Sequence, residues 1–307
     1  MRSFSIISFV CVIALAMTAH AEVPLRWDAT GHVVVPTLVN GIGPVDFILD
    51  TGADESGVYS WFANRLKLPS AGHTELSGAT GSTDSVLLHV AALSVDGHEI
   101  QNVSADAMPD RPDGAKLGGV VGLDLMTGQL TVMDFGCDTA AFLPLGARRG
   151  VVGNQARLVN AGSITGGKQL TLPVTINGAS GLALLDSGSR TTLINGAFAT
   201  AAGLDPQSAA FREGDPARGA TQEAIKSRVG TIGTVTFAGI TREGVTARVL
   251  DLPFLQHTGL SNSFVMVLGL DLLRGTRVSL DYSGRRFWVA PSKCSSPVDP
   301  HRGGHIK

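Results

Sequence analysis

Apolar and polar positions alternate from His32 to Val39, stop at Asn40-Gly41, and resume toward Asp50. The same figure returns from Leu170 to Ile176, breaks at Asn177-Gly178, and runs on to Asp186. Alternation of this kind predicts half-buried strands. Asn-Gly between two such runs predicts a tight hairpin, because both residues tolerate the positive φ that the turn demands. After each aspartate the apolar spacing changes to that of a short helix, over 58–66 and 193–202. Each half then carries Gly-Ala-Thr, at Gly78-Ala79-Thr80 and Gly219-Ala220-Thr221. Further on, Gly119-Val120-Val121-Gly122-Leu123-Asp124-Leu125 matches Val265-Met266-Val267-Leu268-Gly269-Leu270-Asp271-Leu272, and strands over 129–135 and 276–282 close the halves. The period of about 140 residues is too long for a solenoid and suits two β-rich lobes that face each other.

The first 21 residues have a different pattern. Arg2, an apolar core over 6–17 and Ala19-His20-Ala21 predict a cleaved secretory signal peptide. The division that follows is a signal peptide over 1–21, one lobe over 22–146, a glycine-rich linker over 147–156, a second lobe over 157–292 and a tail over 293–307. Charged residues make up 16%, well below the usual quarter, and the 38 glycines fit a secreted β protein rich in turns. A formal net charge of −2 gives no footing for nucleic acid or an anionic membrane. The expected localisation is periplasmic or extracellular. Once Cys11 leaves with the signal peptide, Cys137 and Cys294 are available for one disulfide, and both follow the lobe-closing strands.

The candidate chemistry lies in Ile48-Leu49-Asp50-Thr51-Gly52 and Leu184-Leu185-Asp186-Ser187-Gly188, at matching places in the repeat. Each run ends an apolar strand on a carboxyl, followed by a small hydroxyl residue and a glycine. Two such lobes bring one carboxyl each to a common site. Carboxyls at hydrogen-bond distance cannot both ionise, so a pair holds one proton over a wide pH range. The ionised member takes a proton from water while the protonated one polarises a carbonyl. Asp50 and Asp186 are therefore the candidate catalytic residues, with no metal or cofactor required. Thr51 and Ser187 are expected to bridge the two loops, and Gly52 and Gly188 to leave room for close packing and permit strained backbone. Gly122 and Gly269 stand at matching places in the two halves. The bland alternative is a duplicated β domain whose glycines are ordinary turns.

At these residues the chain resembles the aspartic proteases, specifically the retropepsin-like group with two lobes in one polypeptide. The run from Phe47 through Asp50-Thr51-Gly52-Ala53-Asp54 to Ser56 is similar to the retroviral-type active-site sequence. Val120-Val121-Gly122 and Val267-Leu268-Gly269 are similar to the family's second signature, which implies that Gly122 and Gly269 let the chain pass tightly behind the two aspartate loops. The resemblance covers nearly everything after residue 21. It implies an all-β-dominated, bilobal double β-barrel with a pseudo-twofold axis and short helices. It also implies an aspartic-type endopeptidase acting on peptides or proteins. By the same resemblance Asp54 lines the cleft and touches the bound peptide backbone. There are departures. Leu123 and Leu270 stand where retroviral-type enzymes carry arginine, so the ion pair of that arginine with the carboxylate at Asp54 is absent or rebuilt. The tyrosines Tyr59 and Tyr282 do not fall near Gly78, so the pepsin flap tyrosine is missing.

Several further expectations follow from the repeat. Gly78-Ala79-Thr80 and Gly219-Ala220-Thr221 are expected at the tips of two flaps, where pepsin-type enzymes have one. Arg190 follows Asp186 at the interval by which Asp54 follows Asp50, so the two sides of the cleft are expected to differ in charge. The competing reading makes Arg190 a solvated or structural substitute for the missing arginines. A monomer is expected, since one chain holds both motifs. The alternative function is a catalytically silent peptide-binding module on the same fold, against which stands the presence of both aspartates. The segment from Gly162 to Gln169 is near a P-loop but has Gln169 in place of the magnesium-binding Ser or Thr. His301 and His305 are read as tail residues rather than ligands, and Trp27, Trp61 and Trp288 as core or interface.

Overall fold

Both Asn-Gly turns close hairpins with positive φ at each residue, 52° and 74° at Asn40 and Gly41 and 49° and 88° at Asn177 and Gly178. These values belong to the computed structural model of the chain, which describes residues 22–152, 156–162, 168–257 and 259–294. The expected signal peptide, the middle of the P-loop-like segment, and His301 and His305 lie outside the described residues. Each hairpin opens a closed barrel of six strands. In the first lobe the strand order is Val33–Val39, Ile42–Leu49, Gly119–Val121, Gly57–Tyr59, His98–Met108 and Gly81–Val95, and residues 37–39 pair with 93–95 to close the ring. In the second it is Thr171–Ile176, Ala179–Leu185, Val265–Leu268, Leu193–Ile194, Ile240–Val249 and Ala224–Phe237, closed by residues 174–176 against 235–237. Closure removes the exposed edges that an open sheet of this length would carry.

The stretches expected as helices over 58–66 and 193–202 begin instead as strands, Gly57–Tyr59 and Leu193–Ile194. The helices themselves are Ser60–Leu66 and Gly196–Ala201. The short strands lie between two neighbours, Gly57 opposite both Asp106 and Val120, and Leu193 opposite both Arg248 and Val267. That non-local pairing overrides a local helical period.

The lobe-closing strands belong to neither barrel. Gln129–Asp134 and Thr276–Asp281 pair antiparallel with each other, Leu130 against Asp281 and Asp134 against Arg277. They form the centre of a six-stranded sheet shared by both halves. A disulfide joins Cys137 to Cys294, with Cα atoms 5.0 Å apart, and so fastens the end of the second half to a hairpin of the first. Trp27 adds an interlobe contact, since the Arg274 guanidinium lies 3.9 Å from its ring centroid. Trp61 and Trp288 pack at core margins, Trp61 donating to the Leu117 carbonyl at 2.8 Å. The chain is thus a bilobal, mostly β protein with two equivalent barrels about a pseudo-twofold. Among the described residues no helix is long and apolar enough to cross a membrane.

Candidate active site

The strands Ile42–Leu49 and Ala179–Leu185 each run parallel to a short buried strand carrying the second signature. Asp50 donates its backbone N–H to Val121 O at 2.9 Å, and Asp186 donates to Leu268 O at 3.1 Å. Both aspartates are therefore pinned where their strands leave the barrels, and both barrels present them to the same cleft.

Thr51 and Ser187 lock the two loops together. The Thr51 N–H donates to Ser187 Oγ at 3.0 Å and the Ser187 N–H donates to Thr51 Oγ1 at 2.9 Å. Each hydroxyl then donates onward into the opposite lobe, Thr51 to Leu185 O at 2.9 Å and Ser187 to Leu49 O at 2.6 Å. Each side chain must accept one bond and donate another while buried, which only a hydroxyl does in so little space. Gly52 and Gly188 give the carboxyls room. A Cβ on Gly52 would lie 2.8 Å from Asp186 Cγ, and one on Gly188 would overlap the Asp50 carboxyl. Neither glycine has a positive φ. Close approach, not the backbone freedom also expected of them, is what requires glycine here.

The two carboxyls hydrogen-bond to each other. Asp50 Oδ1 also accepts the Gly52 N–H at 2.7 Å, and Asp186 Oδ1 accepts the Ser189 N–H at 3.0 Å. Burial pushes both carboxyls above the ordinary carboxylate range. Asp186 goes well above it, because the charge and hydrogen bond of Asp50 add to its burial. Asp50 is restrained by the N–H groups of Gly52, Ala53 and Gly188 and by its bond with Asp186. Both shifts run in the direction expected of a carboxyl pair that shares one proton.

Behind each loop the second-signature glycine lies against backbone. A Cβ on Gly122 would fall 2.6 Å from the Glu55 carbonyl, and one on Gly269 would fall 2.7 Å from the Thr191 carbonyl carbon. Leu123 and Leu270 are buried in the core. Among the described residues Asp54 forms no ion pair, and the loops are supported instead by hydroxyl-to-carboxylate hydrogen bonds one residue beyond each leucine. Ser56 donates its hydroxyl to Asp124 at 2.7 Å and accepts the Gly122 N–H at 3.0 Å. Thr192 donates its hydroxyl to Asp271 at 2.7 Å and its N–H at 3.0 Å, and accepts the Gly269 N–H at 3.3 Å. Sequence reasoning matched the duplicated Leu-Asp-Leu but gave its aspartates no task. The signal was available in a hydroxyl residue six positions after each candidate aspartate.

Over the cleft, the hairpins Ser70–Gly78/Gly81–Val95 and Phe211–Arg218/Ala224–Phe237 meet at their tips. The Gly219 N–H donates to Thr80 Oγ1 at 3.1 Å, and the hydroxyls of Thr80 and Thr221 lie 3.3 Å apart. Both threonines are buried, and a Cβ on Gly78 would lie 3.2 Å from Ala220. Cavities of about 350 and 270 Å³ occur elsewhere on the surface, and neither is lined by the paired aspartates or the flap tips. In this conformation the two hairpin tips are in contact.

Asp54 and Arg190 are not brought together. Arg190 is exposed and crosses the lobe boundary to donate to Thr30 O at 2.7 Å. Asp54 Oδ1 is buried without a hydrogen-bond partner. The Thr30 turn belongs to a polar cluster that sequence reasoning missed. Thr30 and His32 are held by Asp28, and Arg111 contacts Thr30, Tyr59 and Asp113. Burial, with Arg111 and Arg190 nearby, lowers His32 to about 4, so the ring is neutral at physiological pH.

No curated protein matches the chain. The family model described as aspartyl protease matches residues 35–125 and 172–272, one copy in each barrel and together more than half of the sequence. The chain belongs to the aspartyl protease family.

Proposed function

We propose that this protein is an exported aspartic endopeptidase that hydrolyses peptide bonds with a water activated by Asp50 and Asp186. The observation that carries the reading is the pair of mutually hydrogen-bonded carboxyls, one from each lobe, beneath two crossed flaps. Asp50, ionised, takes a proton from a water held between the carboxyls. Asp186, protonated, donates a hydrogen bond to the scissile carbonyl oxygen. The hydroxide oxygen bonds to the carbonyl carbon to give a gem-diol. Breakage of the C–N bond then sends a proton to the leaving amine and restores one proton to the pair. Thr51 and Ser187 are positioning residues that keep the carboxyls in register. Export is supported by Arg2, the apolar core and Ala19-His20-Ala21, and by a disulfide that needs an oxidising compartment. The protein is expected to act as a monomer on a peptide or protein substrate.

The test is digestion of a mixed-sequence peptide library between pH 3 and 8, with and without an inhibitor that mimics the gem-diol. Internal cleavage, suppressed by the inhibitor, supports the proposal. Inhibitor or peptide binding without cleavage at any pH would overturn it in favour of a silent peptide-binding module.

A further inference from the structure

Each barrel presents an apolar wall to the cleft, and each wall is covered by the flap tip of the other lobe. On the first wall Ala220 packs with Ile48, Leu76, Met108 and Val120, and on the second Ala79 packs with Leu250, Leu252, Val265 and Val267. A strand leading to each wall carries a charge on its wall-facing side. In His98–Met108, Ala105 and Ala107 pack toward the barrel interior, which places Asp106 on the face that ends at Met108. In Ile240–Val249, Ala247 and Val249 pack inward, and Arg248 shares the opposite face with Leu250 just beyond the strand.

These positions are equivalent. Asp106 stands opposite Gly57 and Arg248 opposite Leu193, and Gly57 and Leu193 each lie seven residues after their own aspartate. Asp54 and Arg190 are likewise equivalent, four residues after each aspartate. At both pairs of positions the first lobe carries a carboxylate and the second an arginine.

Among the described residues none of the four forms an ion pair. Arg190 gives one nitrogen to Thr30 O, and Arg248 gives one to Asp215 O and Ser227 Oγ, at 2.9 Å from the latter. Charges of like sign gather around them, Glu55 near Asp106 and Arg190 near Arg248. The carboxylates on the arginine side are occupied or adjacent: Asp113 with Arg111, Asp28 with the Thr30 turn, and Asp215 near Arg248.

We infer that the cleft is polarised along its length and selects extended peptides with an acidic side chain on one side of the scissile bond and a basic one on the other. Arg248, with Arg190 beside it, takes the acidic side chain, and Asp106 takes the basic one. The inference rests on the peptidase reading. It also answers a problem which that reading creates. A duplicated frame offers a peptide two nearly equal directions of binding, and reversed charges at equivalent positions make one direction attractive and the other repulsive.

The test uses two peptides of identical composition around an apolar centre, one acidic-to-basic and one basic-to-acidic, with a neutral peptide as reference. Cleavage is measured on the wild-type protein, and binding by fluorescence anisotropy on Asp186→Asn. One order should be favoured over the other by about threefold to fivefold at low salt, with the preference shrinking in 1 M NaCl. Arg248→Gln or Asp106→Asn should each reduce it, and Asp106→Arg with Arg248→Glu should reverse it. The exposed Arg190→Glu provides a second route should the half-buried pair misfold. Equal handling of both orders, or a preference unmoved by every variant, overturns the inference. Charge-ordered binding without cleavage would sink the peptidase reading and leave the polarity standing, whereas cleavage indifferent to charge order would do the reverse. Neither binding nor cleavage would overturn both.

Discussion

Ser56 with Asp124 supports the first candidate loop, and Thr192 with Asp271 supports the second. Thr51 and Ser187 exchange the same two hydrogen bonds in opposite directions. In these buried positions the lobes are near copies. Elsewhere they are not, since the first lobe carries Asp54 and Asp106 at the positions where the second carries Arg190 and Arg248. The buried frame stays symmetric because Thr51 and Ser187 each complete hydrogen bonds that the other lobe needs, and Ser56 and Thr192 each complete one within their own lobe; an unmet partner there costs about 1–3 kcal/mol. The cleft charges have no such obligation, so duplication leaves them open to diverge.

The largest expected effect breaks the symmetric part. Asp50→Asn and Asp186→Asn should each lower peptide kcat by about a thousandfold or more, and by similar factors, because neither carboxyl works without the other. Stability should move the opposite way for Asp186→Asn. A carboxyl whose folded pKa is raised favours the folded state at low pH, and that contribution is lost as pH rises from the ordinary carboxylate value through the raised one. Asparagine carries no such loss. The variant should therefore melt higher than wild type near neutrality, with the gain vanishing below about pH 4. Thermal melts across that range would check it.

Next in size is the tie across the shared sheet. Cys137→Ser opens a link between residues separated by 157 positions and should lower unfolding free energy by about 4–5 kcal/mol in the chain-entropy account, as read by denaturant titration. Thr51→Ala and Ser187→Ala should each remove about 1–3 kcal/mol and reduce kcat, while Thr51→Ser and Ser187→Thr keep the bonds and most of the activity. Matching losses from the two lobes would sharpen the symmetry, and unequal ones would break it.

The smallest effect separates the two supports. Burial pushes Asp271 up, and the N–H and hydroxyl of Thr192 pull it back. Thr192→Val removes the hydroxyl bond and raises Asp271 further. Its destabilisation, about 1 kcal/mol, should therefore be greater at pH 7 than at pH 4. Measuring melts of this variant at both pH values would show whether the carboxylate is held as described.

Much of this is legible in the sequence. Asn40-Gly41 and Asn177-Gly178 marked the hairpins because few other dipeptides adopt that turn, and the bilobal fold followed from their repetition. The shared sheet was not readable. Alternation within Gln129–Asp134 identifies a strand but not a partner some 150 positions away, since period two says nothing about which edge it meets. The strands Gly57–Tyr59 and Leu193–Ile194 escaped because two or three residues carry no period at all. The support aspartates Asp124 and Asp271 are visible as a duplicated motif, yet their hydroxyl partners stand 68 and 79 positions earlier in the chain. The polar cluster of Asp28, Thr30, His32 and Arg111 is assembled from segments about 80 residues apart, and no local pattern joins them.

The shared proton is the centre of the account, and the pH dependence of kcat/KM tests it most directly. For the wild-type protein on one internally cleaved peptide, the account predicts a bell-shaped profile in the mildly acidic range, its two limbs belonging to the Asp50–Asp186 pair. A profile that lacks one limb, or one that survives unchanged in Asp186→Asn, would contradict it.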